Sequence, residues 1–459
     1  MVRVPNGVSV VIGLGLSGRA ICRHLARTNM PFMVADTRSD PPGLDAFHAA
    51  HPGVNVVCGP LTALDFTDAH EVVLSPGVDP ATPGLEGLAE RINPHTGDSM
   101  VVGETALFVR ANQVPIAAIT GSNAKSTVTT LLGEMAKTAG LRVAVGGNLG
   151  TPALDLLANH PDAELYILEL SSFQLETTPA LGAKAAVFLN LCEDHLDRHG
   201  DMQAYRLAKQ RIFTGARHII VNQDDPLTWP VQEDVATMRF SVNAPSGNDW
   251  GLVWEGAELK LMQGQTQWLS ASELKMAGQH NYANALAALA MGQALGLNAS
   301  AMINTLRTFT GLPHRSETVA HINDVTWIND SKGTNVGATL AAIQGLGATL
   351  EGRLIWLAGG VGKGADFTPL AIPLGRCACQ ALLFGADSDR IAQAITSQVP
   401  VQQVRDLTQA MEEAFAIAEP GDCVLLSPAC ASFDQFSGYE ARGKAFRDWV
   451  ENKAAETSP

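Results

Sequence analysis

Residues 115–132, PIAAITGSNAKSTVTTLL, run as an apolar strand, a turn of small residues, Lys-Ser-Thr and the start of a helical pattern. A strand feeding a tight loop that opens a helix is the geometry of a nucleotide phosphate cradle. Backbone N–H groups and the helix N-terminus face the phosphates, a lysine neutralises them, and a hydroxyl holds Mg²⁺. In that arrangement Lys125 is the phosphate lysine and Ser126 the Mg²⁺ hydroxyl, with Thr127 beside it. The strict phosphate-loop pattern has glycine where this chain has Ile119 and Ala124. A structural turn ending in an exposed lysine is the alternative reading of the same residues.

Other chemistry-bearing residues also follow short apolar runs. Glu169 closes the run at 165–168, where an NTPase holds its Mg²⁺ one or two strands from the phosphate loop. Asn148 lies in a glycine-rich turn after 143–145. His195 and His199 lie in NLCEDHLDRH, after 185–189, where either can serve merely as a capped loop residue. Lys209 has helical spacing, the usual setting of a solvated lysine. Asn281 and Asn284 fall on one side of a helix start, suited to capping it or to hydrogen-bonding a base. In the last third, Asp330-Ser-Lys332-Gly-Thr334, the loop GGVGKG with Lys363, and SPACASFDQF each follow an apolar run. In a parallel sheet such loops share one edge and can line a single cleft. Two lysines and hydroxyls there suit an anionic substrate, such as an amino acid with several carboxylates; solvated loops are the alternative.

These positions require strands alternating with helices. The run at 8–12 leads into Gly13-Leu14-Gly15-Leu16-Ser17-Gly18 and a helix, and 32–35 ends at Asp36. Taken alone, this favours a dinucleotide-binding oxidoreductase with Asp36 on a ribose; close strand–helix packing is the other use of such glycines. Another run, 72–74, ends in Ser75-Pro76-Gly77. Glu104 begins a new helix, and 237–270 reads as a small antiparallel patch containing Trp250, Trp254 and Trp268.

The chain has 459 residues, room for about three domains, placed at 1–103, 104–311 and 312–459. A net charge of −15 without a basic run argues against general nucleic-acid or anionic-membrane binding. Seven scattered cysteines without zinc spacing read as reduced thiols. With no signal peptide or bilayer-length apolar stretch in evidence, a cytoplasmic protein is expected.

In order and spacing, TGSNAKSTVTT, GGNLG, LELSSFQLE, EDHLDRHG, AKQRIF, GQHNYANALAA, GLPHRSE, INDSKGTN, LAGGVGKGADF and SPACASFDQF resemble the Mur ligases over nearly the whole chain. The last loop most resembles members that add glutamate to UDP-N-acetylmuramoyl-L-alanine. The resemblance implies three α/β domains, each with a mainly parallel sheet: a Rossmann-like UDP-sugar domain, a central ATP-binding domain and a C-terminal amino-acid-binding domain. It implies ATP-dependent amide formation through an acyl phosphate in peptidoglycan precursor synthesis, by a monomer without nucleic-acid or membrane partners.

The resemblance also implies roles. Gly121, Ser122, Asn123, Ala124, Lys125, Ser126 and Thr127 cradle ATP; Asn281 and Asn284 meet adenine; Arg315, Asp330 and Lys332 close over the nucleotide. Ser126, Glu169, His195 and Lys209 hold two Mg²⁺ ions, with Lys209 carbamylated by CO₂. Leu16, Ser17, Asp36, Thr37, Arg38, Gly77, Asn148 and His195 meet the UDP-sugar. Thr334, Lys363, Ser432 and Tyr439 hold glutamate. Catalysis falls to Lys125, Glu169, His195 and Lys209. Ala124, Ser316, Gly333 and Val361 depart from the family pattern, at positions usually held by glycine, a large apolar residue, alanine and aspartate. Ala124 opens the alternative of a weakened or non-catalytic nucleotide-binding protein.

Overall fold

The computed structural model describes residues 2–231, 236–276, 278–347, 350 and 352–457. Among the described residues the main sheets have five, nine and six strands in chain order. The first is fully parallel. Its central strand Ser9–Ile12 is flanked by Phe32–Asp36 and Val72–Leu74, with Val56–Cys58 and Val101–Gly103 at the edges. Continuous burial of Ser9–Ile12, Val72–Leu74 and Val101–Gly103 is what a sheet covered on both faces demands.

In the nine-stranded sheet, Ile116–Thr120 is the middle of five parallel strands at one end. Leu165–Glu169 and Ala185–Phe188 pair with it in parallel, and Val143–Gly147 and His218–Asn222 lie outside them. The antiparallel patch expected over 237–270 is only partly antiparallel. Thr237–Phe240 pairs in parallel with His218–Asn222, so it prolongs the large sheet. Only Trp250–Glu255, Glu258–Gln263 and Thr266–Ser270 run antiparallel to one another.

The last sheet orders Glu317–Ile322, Val325–Asn329, Cys423–Leu426, Leu354–Gly359, Ala378–Phe384 and Val401–Gln403; only its first pair is antiparallel. Separate apolar clusters cover its two faces, built on Trp356 and on Trp327 with Phe446. The first two sheets instead share one cluster. Helices Leu16–Arg27, Glu104–Ala111 and Ala153–Asn159 lie between them, with Phe108 edge-on to Tyr166 at 5.2 Å. Each such fully buried aromatic contributes roughly 2–3 kcal/mol. Among the described residues no helix is long and apolar enough to cross a membrane.

Candidate active site

The loop between strand Ile116–Thr120 and helix Lys125–Thr138 lies at the C-terminal edge of the middle sheet, between strands Leu165–Glu169 and Ala185–Phe188. It is clamped from the neighbouring strand end. Asn123 N–H donates to Asn190 Oδ1 at 2.8 Å, and Asn190 Nδ2 donates back to Asn123 O at 3.2 Å. Ser122 Oγ accepts from Cys192 N at 3.0 Å and lies 3.2 Å from the Tyr205 hydroxyl. Ala124 is the residue before the helix and has φ 64°, in the left-handed region. Glycine enters that region freely, whereas a Cβ costs about 1 kcal/mol there.

Lys125 folds back over its own loop, donating to Gly121 O and Ser122 O at 2.9 Å each. Lys209 donates to the same Gly121 O at 2.9 Å. Its side chain is 1 % exposed, against the sequence reading of a solvated lysine. Helix Met202–Gln210 buries Tyr205, Ala208 and Lys209 on one face, and the amine lies 4.7 Å from the Tyr205 ring centroid. Burial, then the nearby Lys125 charge, holds the Lys209 pKa well below that of a free lysine.

Glu169 ends strand Leu165–Glu169 and is 3 % exposed. Its Oε1 accepts from Asn148 Nδ2 at 2.8 Å, while its buried Oε2 has no hydrogen-bond partner. A buried carboxylate oxygen left open costs several kcal/mol unless a cation completes it. The serine-rich turn that follows serves structure as well. Ser171 caps Gln174 N–H and receives the Gln174 side chain in return, so helix Ser172–Glu176 starts on a capping box. His195 has φ 54°, and burial draws its pKa down to about 4 against the opposing pull of Asp194. A neutral imidazole is the form that binds metal. Glu169 Oε2 is therefore the open oxygen here that a hard cation such as Mg²⁺ would complete.

Residues of the last sheet reach this site. Arg315 donates to Ser126 Oγ at 3.0 Å, and Asn335 pairs with the Asn123 amide at 3.1 Å. Lys363 lies 3.5 Å from Asp194. A cleft of about 820 Å³ opens between the sheets, lined in part by Ala124, Thr127, Asn281, Asn284, Arg315, Asp330 and Lys332. Asn284 Nδ2 donates to Asn281 Oδ1 at 3.3 Å, so the pair faces the cleft as one unit. Burial raises Asp330 to about 6, and burial followed by Arg315 and Lys125 lowers Lys332 to about 8. The Lys332 amine sits 3.7 Å above the Tyr439 ring.

The last loops are tied together by a residue the sequence reading missed. Arg442 is fully buried and donates to Ser331 O at 2.8 Å, Cys430 O at 3.1 Å and Gly359 O at 3.3 Å. It thereby joins three strand-end loops, including those that carry Lys332, Thr334, Lys363 and Ser432. Its position among Gly443, Phe446 and Val450 on the buried face of helix Tyr439–Thr457 was the available signal. Val361 exchanges backbone hydrogen bonds with Ala431 at 2.8 and 2.9 Å, so the loop joins its neighbour whatever that side chain is.

Among the described residues, none of Leu16, Ser17, Asp36, Thr37, Arg38 and Gly77 lines the cleft; they sit at the C-terminal edge of the first sheet. Leu16 is 64 % exposed there. The Asp36 carboxylate accepts from Leu14 N–H at 2.8 Å and from Arg38 N–H, Nε and NH2 at 3.0, 2.8 and 2.7 Å. A Cβ on Gly18 would lie 1.7 Å from Gly13 O, so that glycine serves close packing of helix on turn.

Comparison with known proteins agrees with this geometry. Residues 8–95 match the N-terminal domain of MurD-like Mur ligases, 119–292 the Mur ligase middle domain and 314–430 the Mur ligase glutamate ligase domain. The chain is 62 % identical to a UDP-N-acetylmuramoylalanine–D-glutamate ligase of Chromohalobacter salexigens, over 98 % of each chain. It is 50 % identical to the ligase of that name from Pseudomonas aeruginosa, over 97 % of this chain and 98 % of the other. Among solved structures, the fold is similar to a MurF ligase of Thermotoga maritima in complex with ADP, with TM-score 0.62, 15 % identity and coverage of 100 % and 96 %. It is also similar to the UDP-N-acetylmuramate–alanine ligase of that organism, with TM-score 0.59, 17 % identity and coverage of 97 % and 99 %. Fold, loop chemistry and full-length identity together place the chain in the Mur ligase family.

Proposed function

We propose that this chain joins D-glutamate to UDP-N-acetylmuramoyl-L-alanine with cleavage of ATP to ADP and phosphate, a step in building a peptidoglycan precursor. The full-length identity to ligases of that specificity carries the reading, and family membership implies ATP and Mg²⁺. The division of labour follows the sheets: 1–103 for the UDP-sugar, 104–311 for ATP and 312–459 for glutamate. We take the protein to act in the cytoplasm as a monomer.

The substrate carboxylate attacks the γ-phosphate of ATP, forming a C–O–P acyl phosphate and releasing ADP. The glutamate amine then attacks the carbonyl carbon; an amide forms, the C–O bond to phosphate breaks, and one proton leaves the nitrogen. Residues 121–127 cradle the phosphates on loop N–H groups and the Lys125 amine. Ser126, Glu169 and His195 would hold Mg²⁺, which neutralises charge as phosphate is transferred. Lys209, its pKa lowered by burial, offers more of the free amine needed to take up CO₂; the resulting carbamate would supply the anionic oxygens for a second ion. Asn281 and Asn284 face adenine, and Arg315, Asp330 and Lys332 close over the nucleotide. Asn148, Gly77, Leu16, Ser17, Thr37 and Arg38 receive the sugar nucleotide, with Asp36 holding Arg38. Thr334, Lys363, Ser432 and Tyr439 receive glutamate, which requires Lys363 to leave Asp194.

A dinucleotide oxidoreductase gains little here, because the Asp36 carboxylate is already held by Leu14 and Arg38. The reading is tested by phosphate release from ATP and Mg²⁺ with UDP-N-acetylmuramoyl-L-alanine, adding D- or L-glutamate. Release dependent on the D-isomer is expected. Nucleotide binding with no release would favour a non-catalytic relative.

A further inference from the structure

The segment that carries His195 has little packing of its own. Helix Leu196–His199 is a single turn, starts from His195 in the left-handed region, and contains no buried residue. Its place is fixed by side chains reaching away from it. His199 Nε2 lies 2.9 Å from Ser172 Oγ, and the Phe173 ring lies 5.0 Å from that of His195.

Arg198 supplies the remaining tie and reaches furthest. Its side chain is 9 % exposed. NH2 donates to Glu176 Oε2 at 2.8 Å and to Val78 O at 3.2 Å, Nε lies 3.5 Å from Asp79 Oδ2, and the guanidinium covers the Phe173 ring at 4.9 Å. Val78 and Asp79 lie in the loop that follows strand Val72–Leu74 of the first sheet, directly after Gly77. The Val78 side chain is also what a Cβ on Gly13 would strike, at 2.9 Å, so this turn rests on the glycine turn at 13–18. Arg198 therefore connects the turn assigned to the sugar nucleotide with the segment of the histidine assigned to metal, between loops of two sheets.

We propose that Arg198 is a positioning residue that carries the seating of the sugar nucleotide on turn 75–79 to the imidazole of His195, and so sets the affinity of the metal ion held there. The proposal rests on the reading of His195 as a metal ligand given above. Both hydrogen bonds leave from one guanidinium nitrogen while the planar group lies over Phe173; a lysine amine keeps the charge and lacks that plane.

The test is Mn²⁺ titration followed by electron paramagnetic resonance, with ADP and UDP-N-acetylmuramoyl-L-alanine present. The proteins compared are the wild type, His195→Ala, Arg198→Gln, Arg198→Lys and the double variant His195→Ala/Arg198→Gln. His195→Ala should lose one bound Mn²⁺. Arg198→Gln should weaken that ion about tenfold, Arg198→Lys should fall between, and Arg198→Gln should add nothing in the His195→Ala background. In steady state, Arg198→Gln should raise KM for the sugar nucleotide and leave KM for D-glutamate unchanged. If His195→Ala retains every ion, the reading of His195 fails and the proposal falls with it. If His195→Ala loses an ion while Arg198→Gln binds Mn²⁺ as the wild type does, or weakens binding equally in both backgrounds, the proposal is overturned and the reading of His195 stands. Should Arg198→Gln not fold, Arg198→Lys and its double variant carry the same comparison.

Discussion

The amines of Lys125 and Lys209 both donate to the carbonyl oxygen of Gly121, at 2.9 Å each, and among the described residues neither has an ion-pair partner. Two cations held this close in a buried site repel one another, and burial, then the Lys125 charge, lowers the Lys209 pKa well below that of a free lysine. A lowered pKa raises the share of free amine, the form that reacts with CO₂. Carbon-13 NMR after equilibration with labelled bicarbonate should show a carbamate carbonyl that Lys209→Met lacks, with turnover of the variant down about 10²-fold or more. A wild-type spectrum without that signal would leave Lys209 as a plain amine.

Ala124 is strained where it stands, at φ 64°. Ala124→Gly relieves about 1 kcal/mol of backbone strain, partly offset by greater freedom in the unfolded chain. Thermal denaturation should show equal or higher stability, and turnover should rise if the Cβ also hinders phosphate approach. A clear loss of stability would mean that the Ala124 methyl contributes more by packing than its backbone costs.

Glu169 presents a buried oxygen without a partner. Glu169→Gln keeps the shape and removes the charge, so the Mg²⁺ concentration for half-maximal activity should rise about tenfold or more. An unchanged Mg²⁺ dependence would remove Glu169 from the metal site.

Lys332 carries its charge only below about pH 8 in the free enzyme. If that charge meets the bound anions, kcat/KM for ATP should fall as pH rises through about 8, and Lys332→Arg, which keeps its charge, should lose that limb. A limb at the same pH in the arginine variant would assign it elsewhere.

Arg442 satisfies three carbonyl groups from three loops, and among the described residues it has no direct carboxylate partner. Arg442→Met should cost about 2–4 kcal/mol in chemical denaturation, because the buried acceptors lose their donor. It should also raise KM for glutamate, because the loops carrying Lys363 and Ser432 separate. Unchanged stability would show that water replaces the guanidinium.

The alternation of strand and helix, and the loops that carry the chemistry, were legible because parallel strands buried on both faces leave short apolar runs ending in small residues. Ser126 and Glu169 could be placed from that alone. Lys209 and Arg442 could not be placed while each was treated as an isolated charge. Both lie on the apolar stripe of their helices, beside Tyr205 and Ala208 in one case and Phe446 and Val450 in the other. Reading the stripe first would have buried them. Short edge strands such as Val56–Cys58 and Val401–Gln403 carry too few residues to show a period. The parallel pairing of Thr237–Phe240 depends on a distant strand that local pattern does not reveal.

The central claim is that this site activates a carboxylate by moving phosphate onto it. UDP-N-acetylmuramoyl-L-alanine labelled with oxygen-18 in its carboxylate, incubated with ATP, Mg²⁺ and D-glutamate, tests it most directly. One labelled oxygen should leave in inorganic phosphate and the other remain in the new amide, as mass spectrometry of both products would show. Phosphate released without label would contradict the account, because the oxygen bridging carbon and phosphorus would then never have formed.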